Sequence, residues 1–325
     1  VFLVLMQKPL PPQDVSPARN EPAAATAVST VAAQWADSVA DWNAPLDLSR
    51  PFVCHSLTPL YYTPLFAELS SGQQLRYNQL SAISFNEMIL FFEQSFDSAL
   101  EALIRDRQAV GDDDLRGRIR TFLDDERRHV VMWRRLIRAT ADAGGGCGIV
   151  RLRRPMATAL RSLTSRPRKF PAVVLVMLTL EEHSIDISRR CGRVRAGALE
   201  PHYAAAYRAH LLDEVHHVRI DHELLDLLID PLPRWLRAIN AAIYRRFIRT
   251  MWLRPTAAGG KVVDALVREY PDLVPLGPSL HAALATVEAN PAFRRMMFSP
   301  QTFPLTFSLI RRYPEFSPDP NGGST

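Results

Sequence analysis

Two short stretches of this 325-residue chain carry a carboxylate and an imidazole at metal-ligand spacing. In Asp125-Glu126-Arg127-Arg128-His129, and again in Asp213-Glu214-Val215-His216-His217, a glutamate stands three positions before a histidine. Residues three apart share one face of a helix. Glu126 with His129, and Glu214 with His217, can therefore each offer an oxygen and a nitrogen to one ion. A single such pair is common on solvated helices. Two of them, together with a lone glutamate from each of two further helices, make the ligand pattern of a two-metal carboxylate site in a helical bundle.

The lone glutamates are present. The apolar run Met88-Ile89-Leu90-Phe91-Phe92 leads into Glu93, and Val173 to Leu180 leads into Glu181 and Glu182. A carboxylate set in so apolar a stretch is costly to bury unless a cation or hydrogen bonds satisfy it. The chain order is then Glu, Glu-x-x-His, Glu, Glu-x-x-His, with Glu181 and Glu182 competing for the third place and Glu87 competing with Glu93 for the first. Asp125 and Asp213 each precede a motif glutamate, and on facing helices Asp125 could reach His217 and Asp213 could reach His129, as metal-bound imidazoles require of their free ring nitrogens. His210 lies four residues before Glu214 and seven before His217, on the same stripe of helix. His183, His202, His216 and His222 have no matching role and are expected at the surface or behind the ligands.

The elements that must hold these residues read as helices throughout. From Phe66 onward apolar residues recur at helical spacing, in blocks near 74–106, 113–142, 171–196, 200–229 and 233–252, separated by Gly or Pro. The expectation is an all-α chain: a ferritin-like helical bundle with additional peripheral helices, spanning 51–312. Residues 1–50, rich in Pro, Ala, Ser and Gln, are expected to form a mobile or irregular arm, and 313–325 a flexible tail. The stretch Gly144-Gly145-Gly146-Cys147-Gly148 follows a helix instead of a strand, which favours a flexible break over a phosphate cradle.

Hydrophobic residues make up 47% of the chain and charged residues 22%, the balance of a soluble globular protein. The formal charge of +5 is spread along amphipathic segments, so no nucleic-acid partner is implied. The densest basic run is Arg151, Arg153, Arg154, Arg161, Arg166, Arg168 and Lys169. It reads as a solvated connection, with a docking surface for an acidic carrier protein as the sharper alternative. Cys54, Cys147 and Cys191 lack C-x-x-C spacing, which argues against zinc or an iron-sulfur cluster and suits a cytoplasmic setting. The opening Val1 to Met6 is too short for an export signal, and no run is long enough for a membrane span.

His210-x-x-x-Glu214-x-x-His217, Asp125-Glu126-x-x-His129, Asn86-Glu87 ahead of Glu93, and Glu182-x-x-Ile185-Asp186 resemble the p-aminobenzoate N-oxygenase family of di-iron enzymes. The resemblance covers about 60–230. It implies Glu93, Glu126, His129, Glu182, His210, Glu214 and His217 as ligands to two iron ions, with dioxygen as co-substrate. It further implies an amine substrate, free or tethered to a carrier protein, oxidised to the hydroxylamine, nitroso or nitro level. Without a dinucleotide fingerprint the chain needs an external electron donor or reductase, and the family suggests a homodimer. Carbon hydroxylation or desaturation is the competing chemistry, and a metal-free helical interaction protein the competing class.

Overall fold

The computed structural model describes residues 23–318 except Cys147, 150–153 and Ala196, with the side chains of 23–29 and 154–157 also left aside. Among the described residues all regular structure is helical. The α-helices are α1 Ala23–Val39, α2 Leu65–Glu68, α3 Ser71–Arg105, α4 Asp113–Asp142, α5 Arg154–Thr164, α6 Ala172–Arg193, α7 Pro201–Ile229, α8 Arg234–Phe247, α9 Thr256–Glu269, α10 Gly277–Thr286, α11 Pro291–Met297 and α12 Pro304–Arg312.

The four long helices begin where the sequence satisfies their free N–H groups. Ser70 and Gln73 form a reciprocal capping box at α3: Gln73 N donates to Ser70 Oγ (3.3 Å) and Ser70 N to Gln73 Oε1 (2.8 Å). The Asp112 carboxylate accepts from Asp114 N and Leu115 N at α4, and Glu200 accepts from Tyr203 N at α7, where Pro201 takes the first helical position. The start of α6 borrows its cap from another element, with Ala172 N donating to Asn240 Oδ1 on α8.

α3 packs on α4, α6 on α7, and α4 against α7. The packing falls into two apolar layers. One holds Phe92, Phe96, Ile119, Phe122, Met177, Leu178 and Leu224; the other holds Ile83, Met132, Trp133, Leu136, Cys191, Tyr203 and Tyr207. Glu126, His129, Glu181, His210, Glu214 and His217 sit between them in sequence on α4, α6 and α7, and Glu93 lies at the edge of the first layer on α3, so the ionisable residues form a polar layer inside the bundle. α6 is buried on nearly every side because α7, α8 and α12 also cover it, which accounts for its unbroken apolar run. No helix among the described residues is long and apolar enough to cross a membrane.

Two terminal expectations change. Residues 23–39 form a helix on α4 where an irregular arm was expected: Ala32 and Ala36 are buried, and their small side chains allow close approach. Apolar periodicity is weak there because contact is made by alanines and one tryptophan. Residues 1–22 of the expected arm lie outside the described residues. At the other end Tyr313 and Phe316 are buried, Tyr313 Oη donates to the Asp230 carboxylate, and Arg312 pairs with Asp226 (2.7 Å) and Asp230 (2.5 Å), so the chain stays packed through Pro318. The remaining tail, 319–325, lies outside the described residues.

Asn78 of α3, fully buried, ties the segment before the bundle to it: its Oδ1 accepts from Phe52 N (2.9 Å) and Val53 N (3.3 Å), and its Nδ2 donates to Val53 O (2.8 Å). Asn78→Ala strands these backbone groups and should cost about 3 kcal/mol. Denaturant unfolding of the two proteins measures it, and an unchanged midpoint would remove the role given to this side chain.

Candidate metal centre

Glu93 comes from α3, Glu126 and His129 from α4, Glu181 from α6, and His210, Glu214 and His217 from α7; all are buried. The Nδ1 atom of His129 lies 3.5 Å from Glu126 Oε1 and 3.5 Å from Glu214 Oε1. His217 Nδ1 lies 3.5 Å and 3.4 Å from the same two oxygens. Glu126 and Glu214 are therefore central, each facing both imidazoles. His210 Nε2 is 3.1 Å from Glu93 Oε1 and 3.0 Å from Glu214 Oε1. Two overlapping groups result, Glu126-His129-Glu214-His217 and Glu93-His129-His210, and within each the nearest ligand atoms lie within 4.8 Å of one another.

The outward ring nitrogens are held across the bundle. His129 Nε2 is 3.1 Å from Asp213 Oδ2, and His217 Nε2 is 3.2 Å from Asp125 Oδ2. The structure thus brings Asp125 and Asp213 onto the opposite helix's histidine. Arg128 joins the two aspartates, 2.5 Å from Asp125 and 3.6 Å from Asp213. An Nε2–H donated to a carboxylate fixes the tautomer that leaves Nδ1 bare and aimed at the centre. Trp133 Nε1 donates to Glu93 Oε1 at 2.9 Å and sets that carboxylate's angle. On the outer side Trp35 of α1 stands 5.8 Å from the His129 ring and 5.4 Å from the Arg128 guanidinium, a lid that sequence periodicity does not reveal.

Glu181, and not Glu182, faces this centre. Adjacent helical residues point about 100° apart, so only one can reach it. Glu181 lines a cavity of about 20 Å³ with Glu93, Glu126, His210 and Glu214. The Glu182 carboxylate is turned away to accept Leu305 N (2.7 Å) and Thr306 N (2.9 Å) at the start of α12. Glu182 is thus a helix anchor. Glu87 is likewise engaged elsewhere, accepting Gly148 N. His183 and His202 are buried, not superficial: His183 sits among Phe85, Trp252 and Phe303, and His202 bridges Glu200 and the Asp41 carbonyl. His216 is exposed and His222 partly so.

The charge balance of the layer is lopsided. Burial pushes Glu93 up to about 7 even though His210 draws it down. Burial, reinforced by Asp221, pushes Glu181 well above the carboxylate range. Burial would also raise Glu214, but His210 and His217 outweigh it and hold Glu214 low. For His217 burial lowers basicity, yet Asp125 and Glu214 prevail and bring it to about 10. Both Glu214 oxygens, one oxygen each of Glu93 and Glu181, and Nδ1 of His129 and His217 make no hydrogen bond. Buried polar atoms of this kind are rare. Four carboxylates balance two dications, and mixed oxygen and imidazole donors suit iron or manganese, so the residues fit a two-metal centre.

A family model described as P-aminobenzoate N-oxygenase AurF matches residues 17–263, a span holding all four helices that supply the centre. No curated protein matches the chain.

Two measurements follow from this geometry. Asp213→Asn or Asp125→Asn should weaken metal affinity roughly 10–100-fold, read by competitive titration against a chelator; unchanged affinity would show the pairs to be incidental. A metal entering the layer must displace the proton that His217 holds up to about 10 and that Glu93 holds up to about 7. Binding therefore releases protons, and affinity should rise as pH increases toward neutrality and fall in acid; a pH-independent titration would contradict it.

Proposed function

Because the chain belongs to the p-aminobenzoate N-oxygenase family, we propose that it draws on dioxygen and an external electron donor to oxidise an amine nitrogen. It is a di-iron oxygenase that acts on an amine. The ligands we assign are Glu93, Glu126, His129, Glu181, His210, Glu214 and His217, with Glu181 taking the place that the family pattern suggested for Glu182. The observation that carries this reading is the convergence of four carboxylates and three imidazoles, several atoms bare, in one buried layer.

When bound, an iron pair supplies reductive activation of dioxygen for transfer of an oxygen atom. The chain supplies the rest. Asp125 and Asp213 keep His217 and His129 in the ligating tautomer, and Trp133 orients Glu93. Ile89, Phe92, Phe96 and Leu180 wall the cavity and keep bulk water from it, with Ser184 as its neutral polar group. At about 20 Å³ the cavity has room for a molecule the size of water. Room for an amine therefore has to come from movement of the side chains that line it, of which Phe92 and Phe96 are the largest.

Each oxidation to a hydroxylamine joins amine, dioxygen, two electrons and two protons, and yields hydroxylamine and water. The electrons come from a separate reductase or small reductant. The amine is a free aryl amine or an amino acid held on a carrier protein. In the second case Arg161, Arg166, Arg168 and Lys169 around the start of α6 present a basic face to an acidic carrier; Arg151 and Arg153 of that run lie outside the described residues. A cytoplasmic homodimer is the assembly we infer.

The test is iron content together with turnover of p-aminobenzoate under isotopically labelled dioxygen. The expected result is two irons per chain and label on the amine nitrogen by mass spectrometry, both lost in Glu126→Ala. Label on carbon would redirect the assignment to C–H hydroxylation, and protein without iron would end it. Glu181→Gln should lose iron while Glu182→Gln keeps it; the reverse would restore Glu182 as the ligand.

A further inference from the structure

One edge of the metal layer is continuous with a file of oxidisable side chains, whose electron-donating capacity the amine chemistry does not call on. Trp133, whose indole N–H donates to Glu93 (2.9 Å), has its ring 5.1 Å from that of His210 and 5.9 Å from that of Tyr207. Tyr207, fully enclosed, donates its phenol to Asn86 Oδ1 (3.1 Å), and its carbonyl accepts from Ser188 Oγ (2.8 Å). One helical turn beyond Ser188 on α6 is Cys191, packed in the same apolar cluster as Tyr207 and Trp133. The Cys191 Sγ lies 3.9 Å from that of Cys54, both thiols free. Cys191 is buried and Cys54 only half so, which makes Cys54 the outer member of the pair.

Indole, phenol and thiol are the side chains that give up an electron most readily, and here they run in that order from the centre toward the surface. We propose that Trp133, Tyr207 and the Cys191–Cys54 pair form an oxidative escape path, which carries oxidising equivalents out of the metal layer when no amine is present and stores them as a disulfide. The inference rests on the di-iron reading above. Its stoichiometry closes: dioxygen accepts four electrons and four protons to become two waters. Two electrons come from the ferrous pair. Two electrons and two protons come from the thiols as both S–H bonds break and the S–S bond forms, and solvent supplies the other two protons.

The thiol pair is built for that end point. The sulfurs must close from 3.9 Å to about 2.05 Å, and Cys54, at the start of a short turn ahead of the bundle, sits where the backbone can yield. Cys191 and Arg190 draw the Cys54 thiol down against burial, while the contact with Cys54 and burial push Cys191 up. An accessible, more acidic thiol beside a buried partner is the arrangement of a redox-active pair, and it lets an external thiol reopen the disulfide by attack from solvent.

The experiment loads thiol-reduced protein with ferrous iron under nitrogen, admits dioxygen without any amine, and analyses alkylated peptides by mass spectrometry. The expected result is a linked pair of peptides carrying Cys54 and Cys191, with a disulfide formed for each dioxygen consumed. In Tyr207→Phe the link is lost and oxygen adds to Trp133 instead. Cys54→Ser, remote from the ligands, still consumes dioxygen but leaves its oxidation on Tyr207 and Trp133. A link that forms equally in zinc-loaded protein, or in Tyr207→Phe, would show direct oxidation by air and overturn the path. Iron-loaded protein that consumes dioxygen yet keeps both thiols overturns the path alone. Iron-loaded protein that consumes no dioxygen removes the di-iron reading and the path together.

Discussion

Mutual repulsion among four buried carboxylates is the constraint around which this molecule is arranged. Glu93, Glu126, Glu181 and Glu214 converge with no lysine or arginine among the described residues lining the layer to answer them. Leaving one such charge uncompensated costs several kcal/mol. The protein cannot lower that cost by admitting water, because the cavity holds about one water's volume. Two dications would resolve the conflict, and the three imidazoles would add donors without adding charge. Stability and catalysis thus draw on the same atoms, since the metals that neutralise the layer also perform the chemistry.

That constraint explains the layering of the bundle. A polar stratum in a helical core is tolerable only if the helices on either side are locked against sliding, since a shift of one turn would bury bare carboxylates among leucines. Packing above and below provides the lock, through Phe96, Phe122 and Leu224 on one side and Met132, Leu136 and Tyr203 on the other. The reciprocal pairs His129–Asp213 and His217–Asp125 add a register mark between α4 and α7. Phe122, stacked 3.9 Å from the His217 ring, joins the apolar layer to the ligands.

Much of this was legible in the sequence because the relevant signals are local. Glu126 with His129 and Glu214 with His217 need only helical spacing, and the apolar runs before Glu93 and Glu181 mark buried carboxylates without any tertiary information. The choice between Glu181 and Glu182 was not local. Both follow the same run, and what separates them is α12, more than a hundred residues later, whose N-terminal N–H groups claim Glu182. The helix 23–39 escaped for a related reason: alanine contacts leave little hydrophobic pattern, and the value of Trp35 becomes visible only once His129 is placed beneath it. The surroundings of His183 and His202 were not legible because the cage of Phe85, Trp252 and Phe303 around one and the Asp41 carbonyl that meets the other come from distant parts of the chain.

The two faces of the metal layer differ in what they offer to an oxidant. Toward Phe92, Phe96 and Leu180 there is a small cavity whose apolar walls resist oxidation. Toward Trp133 and Tyr207 there are side chains that lose electrons easily and lead to a thiol pair. Which face receives the oxidising equivalents is then a matter of occupancy. An amine in the cavity meets the reactive atoms directly, whereas transfer through an indole and a phenol needs separate steps across packed rings. A filled cavity wins that competition by proximity. An empty one leaves the aromatic face as the path of least resistance, which spares the ligating imidazoles that the layer cannot lose without exposing its carboxylates to one another.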